Sequence, residues 1–369
     1  SGGDATLLWS LVNIPTEARP LVLAWLLECL RPDTPFPVLE LLGEQGSAKS
    51  STQETLRKII DPNSCNLRAA PKNAEDAFVA GGANWLVSYE NISHFSAPMQ
   101  DALCVLATGG GFAKRKLYSD ADEVVIRVKR PVVINGIAAA ITAQDLIDRT
   151  LSIETPVIRD RREISSLTQE FELNHDKILG GLLDTMVRAL TYLPSINIPA
   201  DDRPRLIEFV KLGMAISQAM GEKPESFLTE FNKRRDESIT RTIDASPVAT
   251  AVIAYMEKYS KGITDTAERI MRAVEQVRSP GYSDAWPRTP KGFADSLRRA
   301  APALRQLKIE CHSLPKTGGV ILWQLIPRRN SKVQCPASPA SLADQDIRTF
   351  KTSDRQVNST VGDYVEEVF

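Results

Sequence analysis

The run Gly43-Glu44-Gln45-Gly46-Ser47-Ala48-Lys49-Ser50 fits the pattern G-x-x-x-x-G-K-[ST], with Ala48 where the last glycine usually stands. The chemistry this spacing suits is the wrapping of a triphosphate. A glycine-rich turn between a strand and a helix aims several backbone N–H groups at one point, and the helix dipole adds partial positive charge there. Lys49 is expected to reach the β- and γ-phosphates, and the Ser50 hydroxyl to ligate Mg²⁺, with Ser51 beside them. Alanine is the smallest replacement for glycine, and at position 48 it requires a conformation with negative φ. A bare match also arises in ordinary Gly/Ser turns; here a strand is predicted before it and a helix after it.

Such a loop needs a metal-orienting carboxylate at the end of a neighbouring strand. Residues 85–89 form a mostly apolar run that ends in Glu90 and Asn91, and Glu90 is the candidate to hold Mg²⁺ directly or through water. Asn91 stands where a catalytic glutamate is common. An amide cannot take a proton from water, so Asn91 orients the nucleophile or another carboxylate, Glu44 or Asp101, serves as base. Asn135 closes the run 131–134 and reads either as a polar sensor near the γ-phosphate or as a turn residue before Gly136.

The elements that must position these groups follow from periodicity. A helix is expected over 6–30, broken by Pro32 and Pro35. Strands are expected at 37–42, 85–89 and 131–134, with helices at 51–60 and 98–107 and a hairpin of 112–118 and 123–129. Strands alternating with helices argue for a parallel α/β core. Residues 161–277 read as helical almost throughout, with stripes at 178–193, 205–220, 226–242 and 247–259, and 279–283 reads as a linker. Residues 290–307 form a helix pair or one broken helix, followed by two strands, 308–313 and 320–325. Past Arg329 the chain is poor in apolar residues, and its last ~40 residues are expected to be a disordered tail. The domains expected are therefore 1–36, an N-terminal helical collar; 37–160, the phosphate-loop core; 161–280, a helical bundle; 281–328, a small C-terminal module; and 329–369, the tail.

Composition excludes several classes. The chain has 369 residues, 43% hydrophobic and 25% charged, with a net charge of −1. Its longest apolar stretch, residues 20–30, includes Glu28 and falls short of the ~20 residues that span a bilayer. No signal peptide is legible, and five scattered cysteines and three distant histidines argue against a disulfide framework or structural zinc site. A cytoplasmic, reduced protein is expected. The charge is uneven, however: residues 286–333 carry ten basic side chains against two acidic ones. Helix, helix, strand, a turn with Lys316 at its tip, strand is the order of a winged helix, with Arg298, Arg299, Arg305 and Lys316 as DNA-binding candidates. A basic protein-docking module is the alternative reading.

The order of these motifs, Gly43–Ser50, Glu90-Asn91, Thr108-Gly109-Gly110-Gly111-Phe112 with Lys114-Arg115-Lys116-Leu117-Tyr118, then Val132-Val133-Ile134-Asn135, resembles the A, B, B′ and C motifs of superfamily-3-type AAA+ helicases. The wording is similar to the helicase half of primase–helicase replication proteins of phages, satellites and other mobile elements, over about residues 10–327. The resemblance implies a P-loop AAA+-type ATPase core, an ATP hydrolase acting as a DNA helicase, with ATP and Mg²⁺ as cofactors. It implies a ring-shaped homo-oligomer, a hexamer, with ATP between subunits. Arg149, after Asp145-Leu146-Ile147-Asp148, falls where the group carries an arginine for a neighbour's γ-phosphate; a salt bridge to Asp145 or Asp148 is the local alternative. The hairpin would project into the central channel, where Lys114, Arg115 and Lys116 meet phosphates and Tyr118 stacks on bases of single-stranded or forked DNA. A rival class is an ATP-switched initiator or defence assembly that oligomerises on DNA or protein and unwinds nothing; a small-molecule kinase explains neither the hairpin nor the basic module. Ser1-Gly2-Gly3 has the look of an artificial start, so a longer native chain, with a primase domain or a primase partner, is expected.

Overall fold

The computed structural model describes residues 2–115, 123–244, 246–277 and 286–327. Its centre is a parallel sheet of four strands: β1 (Val38–Leu42), β2 (Val87–Tyr89), β5 (Val132–Gly136) and β6 (Thr150–Glu154), in the order β2-β5-β1-β6. Val38 is in register with Val132 on one side and Thr150 on the other. Strands covered on both faces need apolar residues at every position, and β1 and β5 are buried throughout.

The alternation of side chains sorts the two faces. Leu39, Leu41, Val133, Leu151 and Ile153 share a core with helices α1 (Arg19–Glu28), α6 (Ile164–Tyr192) and α7 (Ile207–Ala219), and with part of α8 (Pro224–Asp244). Val38, Val132 and Ile134 face α3 (Ala74–Ala83), α4 (Ala97–Thr108) and the short α5 (Gln144–Ile147). Glu40 lies on that second face, 2% exposed. Its Oε1 accepts from the Ala140 amide at 3.0 Å and its Oε2 from the Ser152 hydroxyl at 2.6 Å.

The expected helix over 6–30 is interrupted. Ala5–Ser10 and Thr16–Ala18 are 3₁₀ turns, and α1 begins only at Arg19. Pro15 sits at φ −60, ψ 145, outside the helical region, and Pro20 is confined to the first turn of α1, where its missing donor is harmless. The hairpin is present as β3 (Gly110–Arg115) and β4 (Glu123–Val128), in register from Gly110↔Val128 to Arg115↔Glu123. Phe112 ties it to α3 by stacking on Phe78, centroids 4.8 Å apart. Lys116, Tyr118 and the turn fall outside the described residues, as does the expected tail.

The region 161–280 is less uniformly helical than its periodicity suggests. After α8 and α9 (Pro247–Lys258), residues Ile263–Thr266 form strand β7, and α10 (Ala267–Glu275) follows. β7 pairs with β9 (Leu322–Pro327), which pairs with β8 (Ile309–Ser313), in an antiparallel sheet ordered β7-β9-β8. A boundary at 281 would cut this sheet. Residues 290–307 are one helix, α11 (Pro290–Gln306), carrying Pro302 in its last turns. Ile270, Val274, Phe293, Leu297, Leu304, Trp323 and Leu325 share its core with Val248 and Val252 of α9. Among the described residues no helix is long and apolar enough to cross a membrane.

Candidate nucleotide site and its surroundings

β1 ends at Leu42 and the helix α2 (Lys49–Ile60) starts six residues later. The turn between them is pinned from three sides. The Gly43 amide donates to Gly136 O at 3.3 Å. The Thr155 hydroxyl donates to Leu42 O and to the buried Ser47 hydroxyl, both at 2.9 Å, and the Ser47 hydroxyl donates to Glu44 O at 2.9 Å. Glu44 and Gln45 are exposed at the tip. The Lys49 ammonium folds back into the loop, 2.7 Å from Gly43 O, 2.8 Å from Glu44 O and 3.4 Å from Ser47 Oγ. Partial burial holds its pKa below the ordinary lysine value. Ser50 and Ser51 follow in the first turn of α2, half-buried.

Ala48 corrects the sequence expectation. It adopts φ 51, ψ 31, the left-handed conformation, and not a negative φ. The turn keeps the backbone of the glycine it lacks, because reversing the chain into α2 while pointing amides inward demands that conformation. The strain for a residue with a Cβ is on the order of 1–2 kcal/mol.

The strand ends beside the loop carry the next groups. Glu90 follows β2, half-buried, its amide donating to Arg68 O at 2.8 Å. Asn91 is exposed at φ 54. Asn135 belongs to β5 and is no turn residue. Its Oδ1 accepts from the Asn91 amide at 3.0 Å and its Nδ2 donates to Gln53 Oε1 at 2.8 Å. Gln53 Nε2 donates in turn to Ser88 Oγ at 2.8 Å and Tyr89 O at 3.0 Å. A buried amide pair thus links α2 to the ends of β2 and β5, and Glu90 and Asn91 follow directly on the β2 end so held. Gln53 was not singled out from the sequence; a polar residue one turn after Lys49, on the face α2 turns to the sheet, was the available signal.

Asn13 was missed as well. Its Nδ2 donates to Ser47 O at 2.8 Å and Pro156 O at 2.7 Å, and its amide to Thr52 Oγ1 at 3.0 Å. It fastens the N-terminal segment and the segment after β6 against the loop. Between them lies a cavity of about 460 Å³, lined by Leu11, Val12, Gly46, Ser51, Ile158 and Arg161 among others. A Cβ on residue 46 would lie 2.6 Å from the Arg161 guanidinium, so a glycine there lets that cation rest on the loop.

Arg149 is placed elsewhere. Its carbonyl accepts from Val38 N at 2.9 Å, so it stands at the starting ends of the strands, one strand length (about 16 Å) from the loop. Its guanidinium is paired with Asp145, through the carbonyl at 2.7 Å and through the carboxylate. Arg205 holds the other oxygen of that carboxylate at 2.6 Å. Burial alone would raise the Asp145 pKa, but Arg149, the Cys104 thiol and Arg205 hold it below the ordinary carboxylate value.

In the C-terminal region, Arg298 and Arg299 on α11 and Lys316 in the β8–β9 connection are exposed. Arg298 pairs with Asp295 at 2.6 Å and lies over Trp323, 5.7 Å from its ring centroid. Arg299 donates to Ser296 Oγ at 3.2 Å. Arg305 donates to Cys311 O at 2.9 Å, which closes α11 onto β8. Lys316 precedes a two-residue turn, Gly318 at φ 59 and Gly319 at φ 86, closed by reciprocal bonds of Thr317 and Val320. Arg269 and Arg272 on α10, side chains 75% and 74% exposed, are answered by Asp265 at 3.4 Å and Glu268 at 2.6 Å. Lys114 and Arg115 lie on β3.

Residues 5–228 match the family model for the actinomycete integrative conjugative element replication protein. Residues 248–334 match the model for the C-terminal domain of that element's RepA. No curated protein matches the chain. Among solved structures, two apo A forms of the NrS-1 C-terminal region are similar at 14% identity, covering 87% of this chain and 74% of theirs, with TM-scores of 0.40 and 0.39.

Proposed function

The chain belongs to the actinomycete integrative conjugative element replication proteins, and on that premise we propose that it is the ATP-driven motor of the element's replication. In this reading it is a superfamily-3-like AAA+ helicase that works as a ring, a hexamer, on single-stranded or forked DNA in the cytoplasm, with or beside a primase. The observation that carries the reading is the Lys49 ammonium seated on the carbonyls of Gly43 and Glu44, in a turn joining a central parallel strand to a helix. A cation held at the focus of that turn is where a triphosphate's charge belongs. The adjoining cavity suits a nucleoside in size, and its Leu11, Val12 and Ile158 offer an apolar wall for a base.

Mg²⁺ prefers to keep waters and share its shell with phosphate oxygens. Ser50 and Glu90 fit that arrangement, the first at the start of α2 and the second half-buried at the end of β2. The metal would neutralise charge on the phosphates, while Asn135 and Gln53 hold the strand ends in place. Helices α9, α10 and α11 with the sheet β7-β9-β8 form a winged helix in this reading. α11 would approach a groove and Lys316 the backbone.

One observation favours the rival reading. Asn91 stands exposed at the expected base position and cannot accept a proton, which suits a switch that binds ATP to assemble and unwinds nothing. ATP turnover and strand displacement on forked DNA separate the two. The motor predicts turnover that Lys49→Ala abolishes; nucleotide binding and assembly with no turnover in the unaltered chain would establish the switch.

A further inference from the structure

The C-terminal sheet has two ends, and Lys316 accounts for only one of them. Ile263 of β7 lies opposite Leu325 and Ile309 of β8 opposite Pro327, so the residues just before these two strands gather at the end of β9 away from the turn at Lys316. The length of β9, about 20 Å, separates the two ends. At the far end α9 closes on Tyr259, whose amide donates to Tyr255 O at 2.8 Å. Gly262 at φ 76 then turns the chain into β7, its amide donating to Tyr259 O at 3.2 Å. Tyr255 packs against the core of this region, and Tyr259 leans on it, ring centroids 4.6 Å apart and planes at 37°. Tyr259 is 41% exposed. The Lys258 ammonium lies 5.4 Å from the centre of its ring, and Lys261 and Lys308 are exposed at the same end of the sheet. Among the described residues none of these three lysines is paired with a carboxylate. Glu310 of β8 is already engaged, and Glu257 sits two residues from each ring, a spacing that turns it away from both.

We propose that Tyr255 and Tyr259, with Lys258, Lys261 and Lys308 around them, form a contact for single-stranded DNA. It is separate from the contact proposed for α11 and Lys316 and independent of the nucleotide site. An exposed ring braced by a second one offers a face to a base, and only an unpaired strand has base faces free to meet it. Exposed tyrosines also serve protein contacts, but lysines are depleted there, so three unpaired ones beside Tyr259 favour a phosphate backbone. The arriving base takes the place of the Lys258 ammonium over the ring, and that ammonium turns to an adjoining phosphate. Lys261 and Lys308, on either side of β9, meet the backbone to each side.

The test uses the full chain without nucleotide. Fluorescence anisotropy measures binding to a labelled oligothymidylate and to a duplex, and ultraviolet cross-linking of the same strand carrying 5-iododeoxyuridine is mapped by mass spectrometry. Tyr259→Ala is expected to weaken single-strand binding about 10-fold and to leave duplex binding unchanged, while Tyr259→Phe keeps the affinity for both. Lys261→Gln is expected to lower the slope of log affinity against log salt by about 0.7 for the single strand. Cross-links are expected at Tyr259. Unchanged single-strand affinity in Tyr259→Ala, or cross-links confined to other parts of the chain, overturns the inference and leaves the rings to a protein contact. Equal losses for duplex and single strand also overturn it, since stacking on an unpaired base is then not the cause. With ATP absent from every measurement, each of these failures leaves the nucleotide reading standing.

Discussion

Ala48 shows how a single position can satisfy a motif and strain the backbone at once. A methyl group in the left-handed region is tolerated because the bonds from Ser47, Thr155 and Gly136 determine the turn around it. Ala48→Gly is expected to stabilise the fold by roughly 0.5–1 kcal/mol, relief of strain outweighing the added freedom of the unfolded chain. Urea or thermal unfolding checks this. Glu40 is the second residue with a measurable signature. Burial in the middle of the sheet raises its pKa above the ordinary carboxylate value, against the lowering by the Ser152 hydroxyl and the Ala140 and Ile141 amides. A carboxyl whose pKa is raised on folding contributes its stability below the unfolded value, and that stability is lost as pH rises towards the folded one. Glu40→Gln keeps an acceptor for Ala140 and gains a donor for Ser152. Its melting temperature is expected to exceed that of the unaltered chain by a margin that widens from pH 5 to pH 8. A margin independent of pH would refute the assignment.

At the scale of elements, the N-terminal segment is held by close backbone approach. A Cβ on Gly181 would fall 2.2 Å from the Ala5 amide and 2.8 Å from that of Asp4, and one on Gly3 2.0 Å from the Gly181 amide. Only hydrogens fit, so residues 3–5 lie against α6 and the Asp4 amide reaches Lys177 O at 2.8 Å. Glycines in mid-helix are unfavourable by roughly 0.5–1 kcal/mol each against alanine, a cost this docking offsets. Gly181→Ala, although better for the helix alone, is expected to destabilise the protein by about 1–3 kcal/mol and to expose the Asp4 amide to hydrogen exchange. The same scale explains what the sequence reading missed. Periodicity reported α6 to α9 because each has several turns of apolar stripe; β7, four residues long, has too few for a period, and its partner β9 lies about sixty residues on. Its identity was set by pairing and not by propensity.

For the whole molecule, the uneven spread of charge along the chain is the property to test. A chain of net charge −1 carries a local excess of ten basic against two acidic residues over 286–333, which includes α11 and the turn at Lys316. If this surface binds DNA, affinity is expected to fall steeply with salt, and Lys316→Ala is expected to weaken binding evenly across sequences while reducing the salt slope by about one counterion. Fluorescence anisotropy over a range of salt concentrations checks it, and a slope untouched by Lys316→Ala would argue for protein docking instead. Arg305→Ala belongs to a different class, since its bond to Cys311 O holds α11 against β8 and its loss should appear in stability first.

What residues 43–50 and the apolar runs around them determined, unaided, was the parallel core and the loop with Lys49 at its focus. Those features depend on neighbours within a few residues: a glycine-rich turn, a buried strand, a helix start. Only the folded chain decided that Ala48 is left-handed, that Asn135 serves Gln53 and Asn91, that Asn13 closes the loop, and that Arg149 is committed to Asp145. Each of these rests on a hydrogen bond or ion pair whose partner was chosen by packing, and packing depends on which distant segments the buried faces bring together.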